Sequence, residues 1–130
     1  MATGAFDAGA FRVPLTAITA SPTTAGGVLS LANPEGKTLI ITRFILNITS
    51  PSAGAATVDA GVAADGSTSS DTLIDGASVA TAAKALDSGK DGGTNGKIGQ
   101  LWGASQFVTV TASATLAGLV GEAIIFYIEA

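Results

Sequence analysis

Residues 38–49, TLIITRFILNIT, are the longest uninterrupted β-forming run in the chain and constrain its fold more than any other stretch. Side chains alternate along a strand with a period of two. Ile40, Thr42, Phe44, Leu46 and Ile48 therefore share one side, and Leu39, Ile41, Arg43, Ile45 and Asn47 share the other. The first side is apolar for most of its length, the second only over its first half. This pattern predicts a central strand whose second face is also covered near Leu39 and Ile41, by another sheet, an N-terminal segment or a neighbouring subunit.

The flanking sequence supplies more short strands and the turns between them. Residues 11–19, FRVPLTAIT, are extended in character, and Pro14, which lacks an N–H for the ladder, assigns them to a sheet edge. Val28, Leu29 and Leu31 make a short strand closed by Asn33-Pro34-Glu35-Gly36, a tight turn. After SPSAG at 50–54 the alternation resumes over 56–62, with Ala56, Val58, Ala60 and Val62 on one side, and a hairpin with the central strand is expected. Residues 106–112, QFVTVTA, are a further strand. The last strand, EAIIFYIEA at 122–130, is apolar on both faces and is expected in mid-sheet or against a partner, since an exposed one would invite edge-to-edge aggregation.

One helix is predicted, over 78–86, where Ser78 is a plausible N-cap and Val79, Ala82, Ala83 and Leu86 fall at helical spacing. Residues 87–99 carry five glycines and are expected to form a long surface loop. The N-terminal residues 1–12 repeat Gly-Ala-Phe, placing Phe6 and Phe11 five residues apart, and are expected to be an arm with two aromatic anchors for grooves on the same or another subunit. Residues 13–130 are then a single domain, an all-β antiparallel sandwich of jelly-roll type with seven or eight strands and the one short helix.

Composition narrows what such a domain can do. Only 12% of the 130 residues are charged, against 47% apolar. Free monomers usually carry about twice that charged fraction, which points to a surface partly covered by other protein. The net charge of −4 and six scattered basic residues offer no stripe for a phosphate backbone, so nucleic acid is not an expected partner. No apolar run is long enough for a membrane span. No basic segment followed by an apolar one succeeds Met1, so synthesis and folding in a cytoplasm are expected.

Without His or Cys, nucleophile–imidazole and Cys–His pairings and imidazole metal sites are impossible. Paired carboxylates remain, but no pair is marked by the linear order and few aromatics could hold a sugar. The chain is therefore not expected to be an enzyme or to hold a cofactor or metal. Asp87, Asp91 and Asn95 lie in the glycine-rich loop, but their spacing of four departs from the alternate-residue ligands of an EF-hand, and a solvated loop is the simpler reading. Trp102 beside that loop is either a ligand platform or a packing plug.

The run DGSTSSDTLIDGASVATAAKALDSGKDGGTNGKIGQLW, followed by QFVTVTAS and the closing LVGEAIIFYIEA, resembles small jelly-roll decoration, or cement, proteins from the head-gene region of tailed bacteriophages. Its most specific parts are Leu73-Ile74-Asp75-Gly76 and Gly93-Thr94-Asn95-Gly96, neither of them a catalytic motif. The resemblance implies a homotrimer, or another homo-oligomer, on the outer capsid surface of the virion, tying together copies of the major capsid protein. On that basis Phe6 and Phe11 are expected to dock the arm, and Ile125 and Tyr127 to line a subunit interface. Two alternatives stand beside it: a carbohydrate- or receptor-binding jelly roll using Trp102 and the 87–99 loop, and a tail or filament subunit that assembles by exchanging arms.

Overall fold

The computed structural model describes residues 8–15 and 27–130. These hold nine strands: β1 (Ala8–Pro14), β2 (Leu29–Ala32), β3 (Leu39–Ser50), β4 (Thr57–Ala63), β5 (Ile74–Ser78), β6 (Lys84–Asp87), β7 (Gln100–Trp102), β8 (Phe107–Ala112) and β9 (Val120–Glu129). They form two sheets whose paired strands all run antiparallel. The larger has the order β1-β9-β3-β6, with β7 pairing beside the first part of β3, and the smaller has the order β2-β8-β4-β5. The chain passes repeatedly from one sheet to the other, which is the double Greek-key path of a jelly roll. The fold class expected from the sequence is the one observed, with nine strands.

β3 is central, as its sequence demands, but its two faces are not those of an unbroken strand. Ile41 pairs with Tyr127 and Arg43 with Phe126, so Thr42 is an extra residue opposite no partner. This β-bulge resets the alternation. Leu39 and Ile41 before it, and Phe44, Leu46 and Ile48 after it, all point into the core and are at most 1% exposed. The half-apolar second face predicted by strict alternation is thus one inner face interrupted by a bulge. β9 lies between β1 and β3, the mid-sheet position its doubly apolar sequence requires, and β1 with Pro14 forms the sheet edge.

Three expectations are corrected. The predicted helix over 78–86 is absent: Ser78 ends β5, Ala80 bridges Ser52, and Lys84–Asp87 pairs as β6 along β3. Thr81 sits at φ +78°, a left-handed conformation that no α-helix contains. A two-turn helix is marginal by itself, whereas strand pairing here completes the open flanks of β3 and β4 while Val79 enters the core. Second, β3 and β4 are not a hairpin. They belong to opposite sheets, and residues 51–56 cross between them, with the Ser52 N–H donating to Val79 O at 2.9 Å. The inner face of β4 covers that of β3, and pairing the two side by side would leave both uncovered. Third, residues 8–12 of the expected arm are regular sheet, paired with β9 throughout.

The two inner faces meet in one core. Trp102, Phe44, Leu46, Ile48 and Ile125 come from the larger sheet, Val58, Ile74, Val108 and Val110 from the smaller, and Leu73, Val79, Leu116 and Leu119 from connections. The outer face of the smaller sheet is closed by the chain's own loop between β4 and β5. Thr109 Oγ1 donates to Thr68 O at 2.9 Å, and Ser69 and Thr111 hydroxyls bond at 2.8 Å. Gly61 permits this approach, because a Cβ there would lie 2.6 Å from the Thr72 amide nitrogen.

Candidate functional site

The larger sheet has no such cover among the described residues, and its outer face is apolar across several strands. Directly paired residues of neighbouring strands share a face, so the registers fix its rows. Leu101, Ile40 and Ile128 form one row across β7, β3 and β9. Ile45 and Ile124 form a second, and Phe126 lies between Ala10 on β1 and Arg43 on β3. Phe126 is 38% exposed and Leu101 55%, while Ile40, Ile45, Ile124 and Ile128 are half-buried by one another. Ile98, in the loop before β7, is 71% exposed.

The charged side chains on this face neutralise one another. Arg12 Nη1 donates to Glu122 Oε1 at 3.2 Å. Arg43 donates from Nε and Nη2 to Asp87 Oδ2, the former at 2.9 Å. That hydrogen bond, more than the charge, raises the Arg43 pKa above its ordinary value. The same bond, helped by the Gly89 N–H, holds the Asp87 carboxyl below the usual carboxylate range against the opposing effect of partial burial. Thr42, Arg43, Asp87, Ser88, Gly89 and Ile98 line a shallow cavity of about 230 Å³ at this edge. The bulge supplies two of those residues.

The residues singled out in the sequence are distributed differently. Phe6 lies outside the described residues. Phe11 points inward from β1, its ring centroid 6.3 Å from Trp102 and 5.9 Å from Tyr127, so it anchors β1 on its own chain. Ile125 is fully buried and Tyr127 is 7% exposed, both facing the core. Tyr127 donates its hydroxyl to Glu35 Oε2 at 2.8 Å, and Gly9 leaves room for its ring, since a Cβ there would meet the hydroxyl oxygen at 2.5 Å. Neither side chain has surface to offer another subunit. The outward residues of the same strand are Ile124, Phe126 and Ile128. The signal that could have found them is the doubly apolar β9 beside a Pro-marked edge strand; the missing element was the bulge that brings Ile40 and Ile45 onto one outer face.

Trp102 is the packing plug and no platform: it is fully buried and donates its indole N–H to Gln106 O at 3.1 Å. Asp87, Asp91 and Asn95 do not converge. Asp87 holds Arg43, Asp91 Oδ2 accepts the Asp87 N–H at 2.9 Å, and Asn95 bonds Asp71 and Asp75. Among the described residues no group of three or more acidic side chains is placed to hold a metal ion.

Asp59 and Asp75 on β4 and β5, and Asp65 and Asp71 of the covering loop, are in no ion pair among the described residues; Asp71 and Asp75 both accept hydrogen bonds from Asn95 of the 87–99 loop. Asp65 is held below the usual carboxylate range by the Ser67 N–H and by the Thr68 and Ser67 hydroxyls.

No protein-family model matches the sequence, and no curated protein matches it. Among solved structures, the fold is similar to that of a chain in the capsid of Ralstonia phage GP4, with a TM-score of 0.57 and 18% identity over 95% of this chain and 85% of that chain. At that identity the likeness is one of fold.

Proposed function

We propose that the chain is a virion structural protein of a tailed bacteriophage: a capsid decoration, or cement, protein that binds the major capsid protein on the outer capsid surface and stabilises the head as a homo-oligomer, most simply a homotrimer. The observation that carries this reading is the uncovered apolar face of the larger sheet, with Phe126, Leu101 and Ile98 exposed among half-buried isoleucines. A contiguous apolar surface of that kind marks a protein contact. The fold likeness to a chain of a phage capsid and the low charged fraction of 12% support the same reading. In it the chain performs no reaction and binds no cofactor; many modest contacts made together hold the shell.

The sugar-binding alternative loses its main residue, because Trp102 is inside the core. Incubating the purified chain with shells that lack it is the direct test. Stoichiometric co-sedimentation and a higher shell melting temperature are expected. A chain that stays in the supernatant, with shells melting as before, would refute decoration.

A further inference from the structure

We propose that Asn95 is a site of spontaneous chemical modification, deamidation through a cyclic imide formed with Gly96, which the fold holds in check and which, once it occurs, unfastens the 87–99 loop. This holds whatever the chain docks on.

The two stretches singled out in the sequence, Leu73-Ile74-Asp75-Gly76 and Gly93-Thr94-Asn95-Gly96, pack against each other. A Cβ on Gly96 would lie 2.7 Å from Leu73 O, and one on Gly93 2.7 Å from Asp75 O. Asn95 donates its backbone N–H to Asp75 Oδ2 at 3.1 Å and its side-chain amide to Asp71 Oδ2 at 2.9 Å. The Lys97 N–H donates to Thr72 O at 2.7 Å. Position 95 thus needs a side chain that donates to a carboxylate, and position 96 has room for none. The chain is committed to Asn-Gly here, whereas Asn33 and Asn47 precede Pro34 and Ile48.

Asn-Gly is chemically weak. The Gly96 amide nitrogen, after losing its proton to solvent base, attacks Asn95 Cγ. The new C–N bond closes a five-membered imide, and Nδ2 leaves as ammonia, taking a proton from water. Water then opens the ring at either carbonyl, giving aspartate or, with the main chain rerouted through the side chain, isoaspartate. Glycine puts no side chain in the way of the attack, and Asn95 is exposed to water.

The folded chain opposes each step. The Gly96 N–H is engaged with Gly92 O at 2.7 Å, and the amide that must leave is held by Asp71. The hydrogen bonds of Asn95 and Lys97 on either side fix the backbone that must turn to bring nitrogen onto Cγ. Ring closure therefore waits for a local opening of the loop. The product does not refasten it: a carboxylate has no N–H to give and stands as an anion against Asp71, beside Asp75. Isoaspartate also lengthens the main chain by a carbon where Gly96 has no space. The same loop lends Gly89 and Ile98 to the cavity at the outer face of the larger sheet, so its release reaches that edge.

The test incubates native protein, protein in guanidinium chloride and a synthetic peptide of residues 93–99 in mildly alkaline buffer, with conversion at Asn95 followed by peptide mass mapping. Conversion is expected in the peptide and the denatured chain, and at least about tenfold more slowly in the native one. Asp71→Ala, shown folded by circular dichroism, is expected to raise the native rate by about threefold or more. Equal rates in native protein and peptide overturn the protection, as does an Asp71→Ala rate equal to that of wild type. The first comparison uses the wild-type chain alone and so decides even where a variant fails to fold.

Release is read by hydrogen exchange over residues 88–98 in wild type, Asn95→Ala and Asn95→Asp. Exchange is expected to be fastest in Asn95→Asp. Exchange as slow as in wild type overturns the release, and equal exchange in the two variants overturns the part assigned to charge repulsion.

Discussion

At the scale of single residues, the side chains that matter most are those that close the core and those that settle the charge beside the outer face. Trp102 is fully buried, with Phe11 and Tyr127 rings 6.3 and 6.4 Å away. Trp102→Ala is expected to destabilise the chain by about 3–5 kcal/mol, because the void would be framed by the rigid rings of Phe11 and Tyr127 on the same inner face. Chemical denaturation checks this, and a loss below about 1 kcal/mol would contradict the packing role. Asp87 makes a pH-dependent contribution. Its folded pKa lies below the ordinary one because it accepts hydrogen bonds from Arg43 and Gly89, so its ionised form favours the folded chain. That stability is complete above the unfolded carboxylate value of about 4 and is lost as pH falls through the folded value. Thermal melting between about pH 5 and about pH 2 should therefore fall more steeply for wild type than for Asp87→Asn; parallel curves would show that the ion pair does not stabilise. Asp65, lowered in the same direction, remains in both proteins and cancels in the comparison.

At the scale of elements, the bulge in β3 decides which side chains enter the core. Because Thr42 is the unpaired residue, removing it would leave Ile41 inward, Arg43 outward and Phe44 inward in plain alternation. Deletion of Thr42 is expected to leave a folded protein. Deletion of Asn47, from the regular ladder opposite Glu122, would turn one end of the strand inside out and is expected to abolish folding. Circular dichroism and a melting curve distinguish the outcomes, and equal tolerance of both deletions would remove the argument. The strands themselves were legible in the sequence: β2, β3, β4, β8 and β9 fall where alternation and turn residues place them, and Pro14 marks the edge. The segment 78–86 was not, for a physical reason. Its alanines satisfy a helix locally, but the choice was made by the vacant flanks of β3 and β4 and by the core space that Val79 fills. Residues 8–12 of the expected arm likewise belong to β1, since Phe11 packs on rings that lie far away in sequence.

At the scale of the whole molecule, two sheets share a single apolar core and neither can bury its inner face without the other. Unfolding is accordingly expected to be one cooperative transition, with near- and far-ultraviolet circular dichroism coincident in denaturant; separated transitions would show that one sheet persists alone. The same division gives the molecule two unlike exteriors, an apolar face that carries the Arg12–Glu122 and Arg43–Asp87 pairs and a side covered by its own loop. The sequence by itself determined the β class, the central run, the edge strand, the buried terminal strand and the absence of imidazole and thiol chemistry, because alternation, proline geometry and residue types are local properties. Tertiary structure alone decided that Ile125 and Tyr127 turn inward while Ile124, Phe126 and Ile128 turn outward, and that Arg43 meets Asp87 next to them. Those outcomes depend on strand order and on one extra residue in a ladder, and both are settled only when distant segments compete to pair and pack.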